Sequence, residues 1–418
     1  LQTLQLGKKE AGKSSVHQGF PIISTFQRIL LLLLKKSISI HSYKEMSREN
    51  MKITCDKQKL NEAVLNIQKA VSTKSSIPAL EGILIRAGDS SVQLCGYDLE
   101  LGITTDLACT VAEKGSIVLS ARLFGDIVRR LPAADVTITT DEKQITTIES
   151  GEAKYSIVGI PAQEYPELPS VGSETSLKIP SGILHSMIHQ TLFAVADNDA
   201  KPIHTGTLFE LEPDHLRLVS VDGYRLAIRE EPLACERNTT FVVPGKTLAE
   251  VLKLIGDDDS EVELQIGRRH ILFSIQNYTV ISRLLEGEFL DYRAAVPNEC
   301  STSLKVSVHN LISSVERVSL LITDRLKSPV RCVFEDGEIR VSCSTAIGRA
   351  HDKLAAQMEG DSLEMGFNNR FLLDALRNTE CDEVRIQLNG PLSPMRILPC
   401  EGSSFLFLVL PVRLKSEG

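Results

Sequence analysis

Apolar positions in this chain recur in blocks that copy one another. In Arg122-Leu-Phe-Gly-Asp-Ile-Val-Arg-Arg-Leu, positions 124, 127 and 128 fall on one face of a 3.6-residue helix. Lys246-Thr-Leu-Ala-Glu-Val-Leu-Lys-Leu-Ile carries the same stripe at 248, 251 and 252, and Arg370-Phe-Leu-Leu-Asp-Ala-Leu-Arg-Asn-Thr at 372, 375 and 376. The three leading basic residues stand 124 apart, twice over. An alternating run that reads as a half-buried strand follows each helix: Val136-Thr-Ile, Val262-Glu-Leu-Gln-Ile and Val384-Arg-Ile-Gln-Leu. A period this long far exceeds a solenoid unit, so a whole domain is repeated.

The first half of each domain follows the same plan. Lys52-Ile53, Lys178-Ile179 and Lys305-Val306 each open a predicted strand, and helices are predicted around Leu60–Val71, Ile183–Val195 and Leu311–Leu321. Strands come next, such as Gly82-Ile-Leu-Ile-Arg, Leu208-Phe-Glu-Leu and Val330-Arg-Cys-Val-Phe, punctuated by turns at Gly88-Asp89, Asp222-Gly223 and Asp336-Gly337. Each domain therefore reads as two strand–helix–strands units, with two helices and roughly eight strands. Stretches rich in Pro, Ser and Glu near Pro169–Ser176 and Pro297–Ser303 place the boundaries, giving domains over 51–172, 173–298 and 299–418. The predicted class is α+β, helices packed on antiparallel sheets.

Residues 1–50 stand outside the repeat. They hold eight Lys/Arg against three Glu, and their run of Ile29 and five leucines is too short to span a bilayer. Met51-Lys-Ile-Thr opens the repeat, so 1–50 reads as a leader: sequence upstream of a true start, a basic acid-poor transit segment, or a functional tail. Nine cysteines without a Cys-x-x-Cys pair fit a reducing compartment such as the cytoplasm, and no zinc site. The lack of Trp and the scarcity of aromatics argue against a base-stacking platform. Charge changes the picture most. Of the net −8, residues 51–418 carry −13, yet the six helical segments sum to +8 and everything else to −21. An acidic body with basic helices attracts a polyanion on one surface and repels it from the others. Lys and Arg are also good helix formers, but Glu is as good and is scarce in these helices.

The order and spacing of several segments resemble the bacterial sliding clamp, the beta subunit of DNA polymerase III. They are Pro78-Ala-Leu, Leu119-Ser-Ala-Arg122-Leu-Phe, Val221-Asp222-Gly223-Tyr224-Arg225-Leu226, Gly287-Glu-Phe-Leu-Asp291-Tyr292-Arg293 and Leu410-Pro411-Val412-Arg413-Leu414, and the likeness spans 51–418. The resemblance implies a non-catalytic head-to-tail homodimer whose six domains enclose duplex DNA without sequence preference. Helices would line the hole and sheets the outer wall. Such a ring needs only weak, screened attraction to phosphates. It also implies partners: the replicative polymerase subunit, a clamp loader that supplies ATP hydrolysis, and other clamp-motif proteins of replication and repair. No cofactor or metal is implied.

Carried over residue by residue, the family's DNA contacts fall on Lys74, Arg122, Asn198, Lys201, Pro202, Ile203, Lys246 and Arg370. Pro202 and Ile203 depart from the polar aromatics usual there. The partner-peptide groove falls on Val221, Gly223, Tyr224, Arg225, Leu226, Leu290, Ala294, Met395, Leu408, Leu410, Pro411, Val412 and Arg413. A greasy cleft with a few polar fixers suits an extended peptide with Leu and Phe anchors. Leu290 for a usual Pro and Ala294 for a frequent Arg imply a wider, less charged rim.

Three features mimic other chemistry. Pro244-Gly245-Lys246-Thr247 imitates the end of a phosphate-binding loop, but Thr240 stands where that loop needs Gly. His185 and His189 stand at i, i+4 without a third ligand motif, and Asp257-Asp258-Asp259 lacks the rest of a calcium loop. The rival functions are a nucleotide-dependent enzyme built on Lys246, or a repeat-built interaction scaffold with no DNA role.

Overall fold

The computed structural model describes residues 50–172, 175–197, 201–235, 238–256, 260–297, 299–323, 325–326 and 328–414. Among them are six α-helices: α1 (Lys57–Ile67), α2 (Ala121–Arg130), α3 (Ser181–Leu192), α4 (Gly245–Leu254), α5 (Val308–Ser319) and α6 (Asn369–Arg377). They pack in pairs, α1 on α2, α3 on α4 and α5 on α6. The apolar stripe read from the sequence is the buried face: Phe124, Ile127 and Val128 in α2, and Leu372, Ala375 and Leu376 in α6. In α4, Leu248 and Val251 are buried, while Leu252 is only partly so. Twenty-six strands among the described residues, slightly above the expected total, include the short edge strands Thr110–Glu113 and Gln357–Gly360.

These strands form four antiparallel sheets, two of which cross from one repeat to the next. In the eight-stranded sheet Tyr278–Arg283 pairs with Leu101–Ala108, from Tyr278↔Thr105 to Ser282↔Leu101. In the nine-stranded sheet Arg225–Pro232 pairs with Phe405–Val409, from Arg225↔Val409 to Arg229↔Phe405. The remaining sheets lie at the two ends of the chain. One has five strands and ends on Ala153–Val158; the other has four and ends on Gly348–Ala355. Each sheet buries one face beneath the helices. Two smaller apolar clusters cover opposite faces: Leu84, Cys95, Tyr97, Val118 and Tyr165 in the first repeat, and Leu208, Val219, Val221, Val242 and Tyr292 in the second.

Candidate nucleic-acid interface and partner groove

Arg122, Lys246 and Arg370 occupy the second position of α2, α4 and α6, and all three are exposed. A cation in the first turn opposes the helix dipole, whose positive end prefers Asp or Glu. None of the six helices has an acidic residue in its first turn. Local helix stability therefore does not explain these residues. Lys74 is exposed in the turn beyond α1, where its carbonyl accepts from the Ser72 hydroxyl at 3.1 Å. Lys246 is partly engaged already: its Nζ lies 2.6 Å from Asp98 of the preceding repeat.

The segment between α3 and the strand Gly206–Glu212 divides. Lys201 and Pro202 are exposed, and Asn198 lies outside the described residues. Ile203 does not fit the role expected of it. It is 9% exposed and packs with Leu208, Val221, Leu226 and Val242, because an apolar side chain here is drawn under the sheet. It belongs to the groove floor and cannot reach a phosphate.

Most residues expected to form the partner groove gather where the nine-stranded sheet crosses between repeats. Gly223, at φ +90°, lets the turn between two strands reverse in the left-handed region. Asp222 Oδ1 accepts from the backbone N–H of Tyr224 at 2.8 Å and of Arg225 at 3.0 Å, which fixes the turn. Leu410 N–H donates to the Tyr224 carbonyl at 2.9 Å, so the terminal segment forms the facing wall. Val221, Leu226 and Leu408 are buried and make the floor. Tyr224, Leu290, Leu410 and Val412 are exposed, as are Ala294 and Arg413, with Pro411 half-buried. Met395 is the second correction. It is 1% exposed and lies in the helix-side core, because pairing with Val409 turns both away from Leu408. Beyond Val412 a cavity of about 530 Å³ runs past Pro329 and Asn368 to Arg370.

Phe371, Asp374 and Phe193 complete this wall, and sequence reasoning passed over all three. Arg225 is 8% exposed; its Nε lies 2.9 Å from Asp222, and Nη1 donates to Asp374 on α6. The guanidinium covers the Phe371 ring at 4.8 Å and the Phe193 ring at 5.6 Å, and Tyr224 stacks on Phe371 at 5.5 Å. The available signal was Phe371 itself, a large aromatic at the repeat position of Thr247 and outside the helix's apolar stripe. His204, also missed, is buried edge-on to Phe289 at 5.5 Å; burial, then Lys201, lowers its pKa.

A polar network pins the segment that carries Leu290 and Ala294. Glu210 Oε2 accepts from the Tyr292 hydroxyl at 2.6 Å, Arg217 Nη1 at 2.9 Å and Arg293 Nη2 at 2.9 Å. Arg217 Nε also donates to Glu230 at 2.8 Å. Burial alone would raise the Glu210 pKa, but the Tyr292 and Arg217 hydrogen bonds and the charge of Arg293 outweigh it. Its carboxyl is therefore held below the ordinary value. Burial, then Glu210, pushes the Tyr292 phenol up.

The mimics do not assemble into sites. Thr247 is buried with its hydroxyl 2.6 Å from Ser282, and Lys246 faces Asp98, so no phosphate cradle forms around them. His185 and His189 stack at 6.2 Å, with His189 Nδ1 3.1 Å from Glu380, and no three-ligand metal group occurs among the described residues. The Asp257–Asp259 run lies outside the described residues.

Comparison with known proteins agrees along the whole repeat. Family profiles described as the DNA polymerase III beta subunit match its N-terminal domain at residues 51–169, central domain at 178–291 and C-terminal domain at 293–413. The "Beta sliding clamp" of Bacillus subtilis (strain 168) is 34% identical over 376 residues, covering 87% of this chain and 100% of the relative. A solved "DNA polymerase sliding clamp from Bacillus subtilis" superposes with a TM-score of 0.84 at 33% identity, covering 88% of this chain and 100% of that one. A "Putative DNA polymerase III beta subunit" from Eubacterium rectale ATCC 33656 gives 0.82 at 36% identity, covering 87% and 99%.

Proposed function

The chain belongs to the DNA polymerase III beta subunit family, and on that premise we infer how its parts act as a sliding clamp. It is a non-catalytic subunit that encircles DNA as a homodimer and confers processivity on the replicative polymerase. The observation that carries the ring is the pair of incomplete end sheets. Joined head to tail, the five strands ending on Ala153–Val158 and the four ending on Gly348–Ala355 complete a sheet like the nine-stranded one inside the chain. An unpaired edge is a template for another strand, and closing a ring removes it. Both ends also expose apolar side chains that a seam would cover. Val158 is 78% exposed on one side; Leu320 at 81% and Ile347 at 65% stand near the other.

Within the ring we assign phosphate contact to Lys74, Arg122, Lys201, Lys246 and Arg370, with Pro202 beside them and Asn198 on family position alone. The groove of Tyr224, Arg225, Leu226, Leu408, Leu410 and Val412, rimmed by Leu290 and Ala294, takes extended partner segments with apolar anchors. The replicative polymerase subunit, a clamp loader and repair proteins would occupy it in turn. No helix among the described residues is long and apolar enough to cross a membrane. We place the protein where bacterial chromosomes are copied, in the cytoplasm. The decisive test compares retention on a nicked circular plasmid before and after linearisation. A clamp stays on the circle and is lost from the free ends; equal loss from both defeats the topological reading. Peptide binding without retention on DNA would leave the interaction scaffold.

A further inference from the structure

The turn that bears the groove lip occurs twice in the chain. Stepping back 124 residues carries Val221-Asp222-Gly223-Tyr224-Arg225-Leu226 onto Tyr97-Asp98-Leu99-Glu100-Leu101-Gly102. The backbone is the same in both. Asp98 Oδ1 accepts from Glu100 N–H at 3.0 Å and Leu101 N–H at 2.7 Å, matching Asp222. Leu99 has φ +76°, where Gly223 has +90°. Arg283 N–H donates to the Glu100 carbonyl at 2.9 Å, as Leu410 N–H does to Tyr224. The isolated bridge Val242↔Leu285 repeats as Gly366↔Val412. Even the neighbouring cavity recurs: about 930 Å³ lined by Pro244, Lys246, Arg283 and Leu285.

The side chains differ, beginning with Leu101 where Arg225 anchors the other wall. In the second repeat Val221 and Leu226 form the floor of the apolar slot. In the first, Tyr97 stands at the Val221 position, 7% exposed, its hydroxyl donating to the Leu99 carbonyl at 3.3 Å. Gly102 stands at the Leu226 position. A Cβ there would lie 2.8 Å from Ile281 Cγ2, the strand partner that matches Leu408, 3.0 Å from Leu168 Cδ2 and 3.3 Å from Tyr97 Cδ2, so the volume is already filled. The mouth changes too, since Glu100 and Arg283 replace Tyr224 and Leu410.

We infer that Tyr97, with Leu168, closes a second copy of the peptide groove at the junction of the first two repeats. Val221 in the same repeat position keeps the other copy open. Partner stoichiometry is thus set by the side-chain volume that fills the slot, on a frame that offers the site twice. The inference rests on the groove assignment above.

The test is calorimetric titration of the full-length dimer with a synthetic peptide carrying Leu and Phe anchors. Wild type should bind one peptide per chain. Tyr97→Val with Leu168→Ala should bind two, the second more weakly because its mouth is charged. Val221→Tyr, which copies the closing residue into the open site, should lower wild-type affinity at least tenfold while sedimentation still shows a dimer. One peptide per chain in the folded double variant, two in wild type, or undiminished binding by Val221→Tyr overturns the inference. If the double variant fails to fold, Val221→Tyr decides. No binding by wild type defeats the groove assignment first and this inference with it.

Discussion

Replacing Glu210 tests whether the groove rim is held by a charge buried beneath it. Glu210 is 7% exposed and receives three donors, two of them guanidinium groups. Gln keeps the shape and can still accept from Tyr292, and Arg293, 57% exposed at its side chain, rehydrates freely. The loss therefore falls on Arg217, 16% exposed, which keeps its bond to Glu230. One charge-assisted buried hydrogen bond is worth about 1.5–3 kcal/mol, so Glu210→Gln should destabilise by about 2 kcal/mol at pH 7. Glu210→Ala also takes the acceptor from the buried Tyr292 hydroxyl and should cost about 1–3 kcal/mol more. The pH profile separates charge from shape. Because the folded carboxyl is held below its unfolded value, its contribution is complete above about pH 4.3 and is lost as pH falls through the folded pKa. Urea unfolding of wild type and Glu210→Gln should therefore converge as pH drops below 4. Curves that stay parallel from pH 7 down through that range would refute a stabilising charge at Glu210.

Three further outcomes follow from the site geometry. Lys74→Glu with Arg122→Glu should shorten retention on circular DNA and flatten the logarithmic salt dependence by about 1.8, two phosphate contacts' worth, with the dimer unchanged by sedimentation. Leu320→Asp should convert the dimer to monomers at micromolar concentration, since it puts a charge into the proposed seam; an intact dimer would exclude that edge. Arg225→Ala should weaken anchor-peptide binding about 10- to 100-fold in fluorescence anisotropy. Arg225→Lys should not restore it, because the planar group both stacks on Phe371 and bonds two carboxylates.

Period and pattern made the repeat legible, because a 124-residue step keeps the stripes of α2, α4 and α6 in phase. The helices at 124, 372 and their neighbours needed nothing more than spacing. The pairing of Tyr278–Arg283 with Leu101–Ala108 was not readable, since periodicity shows that a strand has a buried face but not which strand lies beside it. Residue roles failed for the same kind of reason. Ile203 and Met395 hold family positions near the right surfaces, yet a 3-10 turn over Pro202–Thr205 tucks Ile203 into the cluster with Leu208, and register with Val409 turns Met395 to the helix side. Phe371 and Asp374 matter through Arg225, a contact spanning 149 residues that no local window contains. Tyr97 stood in plain view, but its meaning depends on the volume left beside Gly102.

The sheets that run unbroken from one repeat into the next make each chain mechanically stiff. At both internal junctions five successive residue pairs stitch neighbouring repeats, so bending there would shear a whole ladder of backbone bonds at once. A half-ring built this way has no soft joint along its length. Compliance is left to the two places where the edge strand Gly348–Ala355 of one chain meets Ala153–Val158 of the next. Pulled open, such a ring would part at a seam and leave each half unbent.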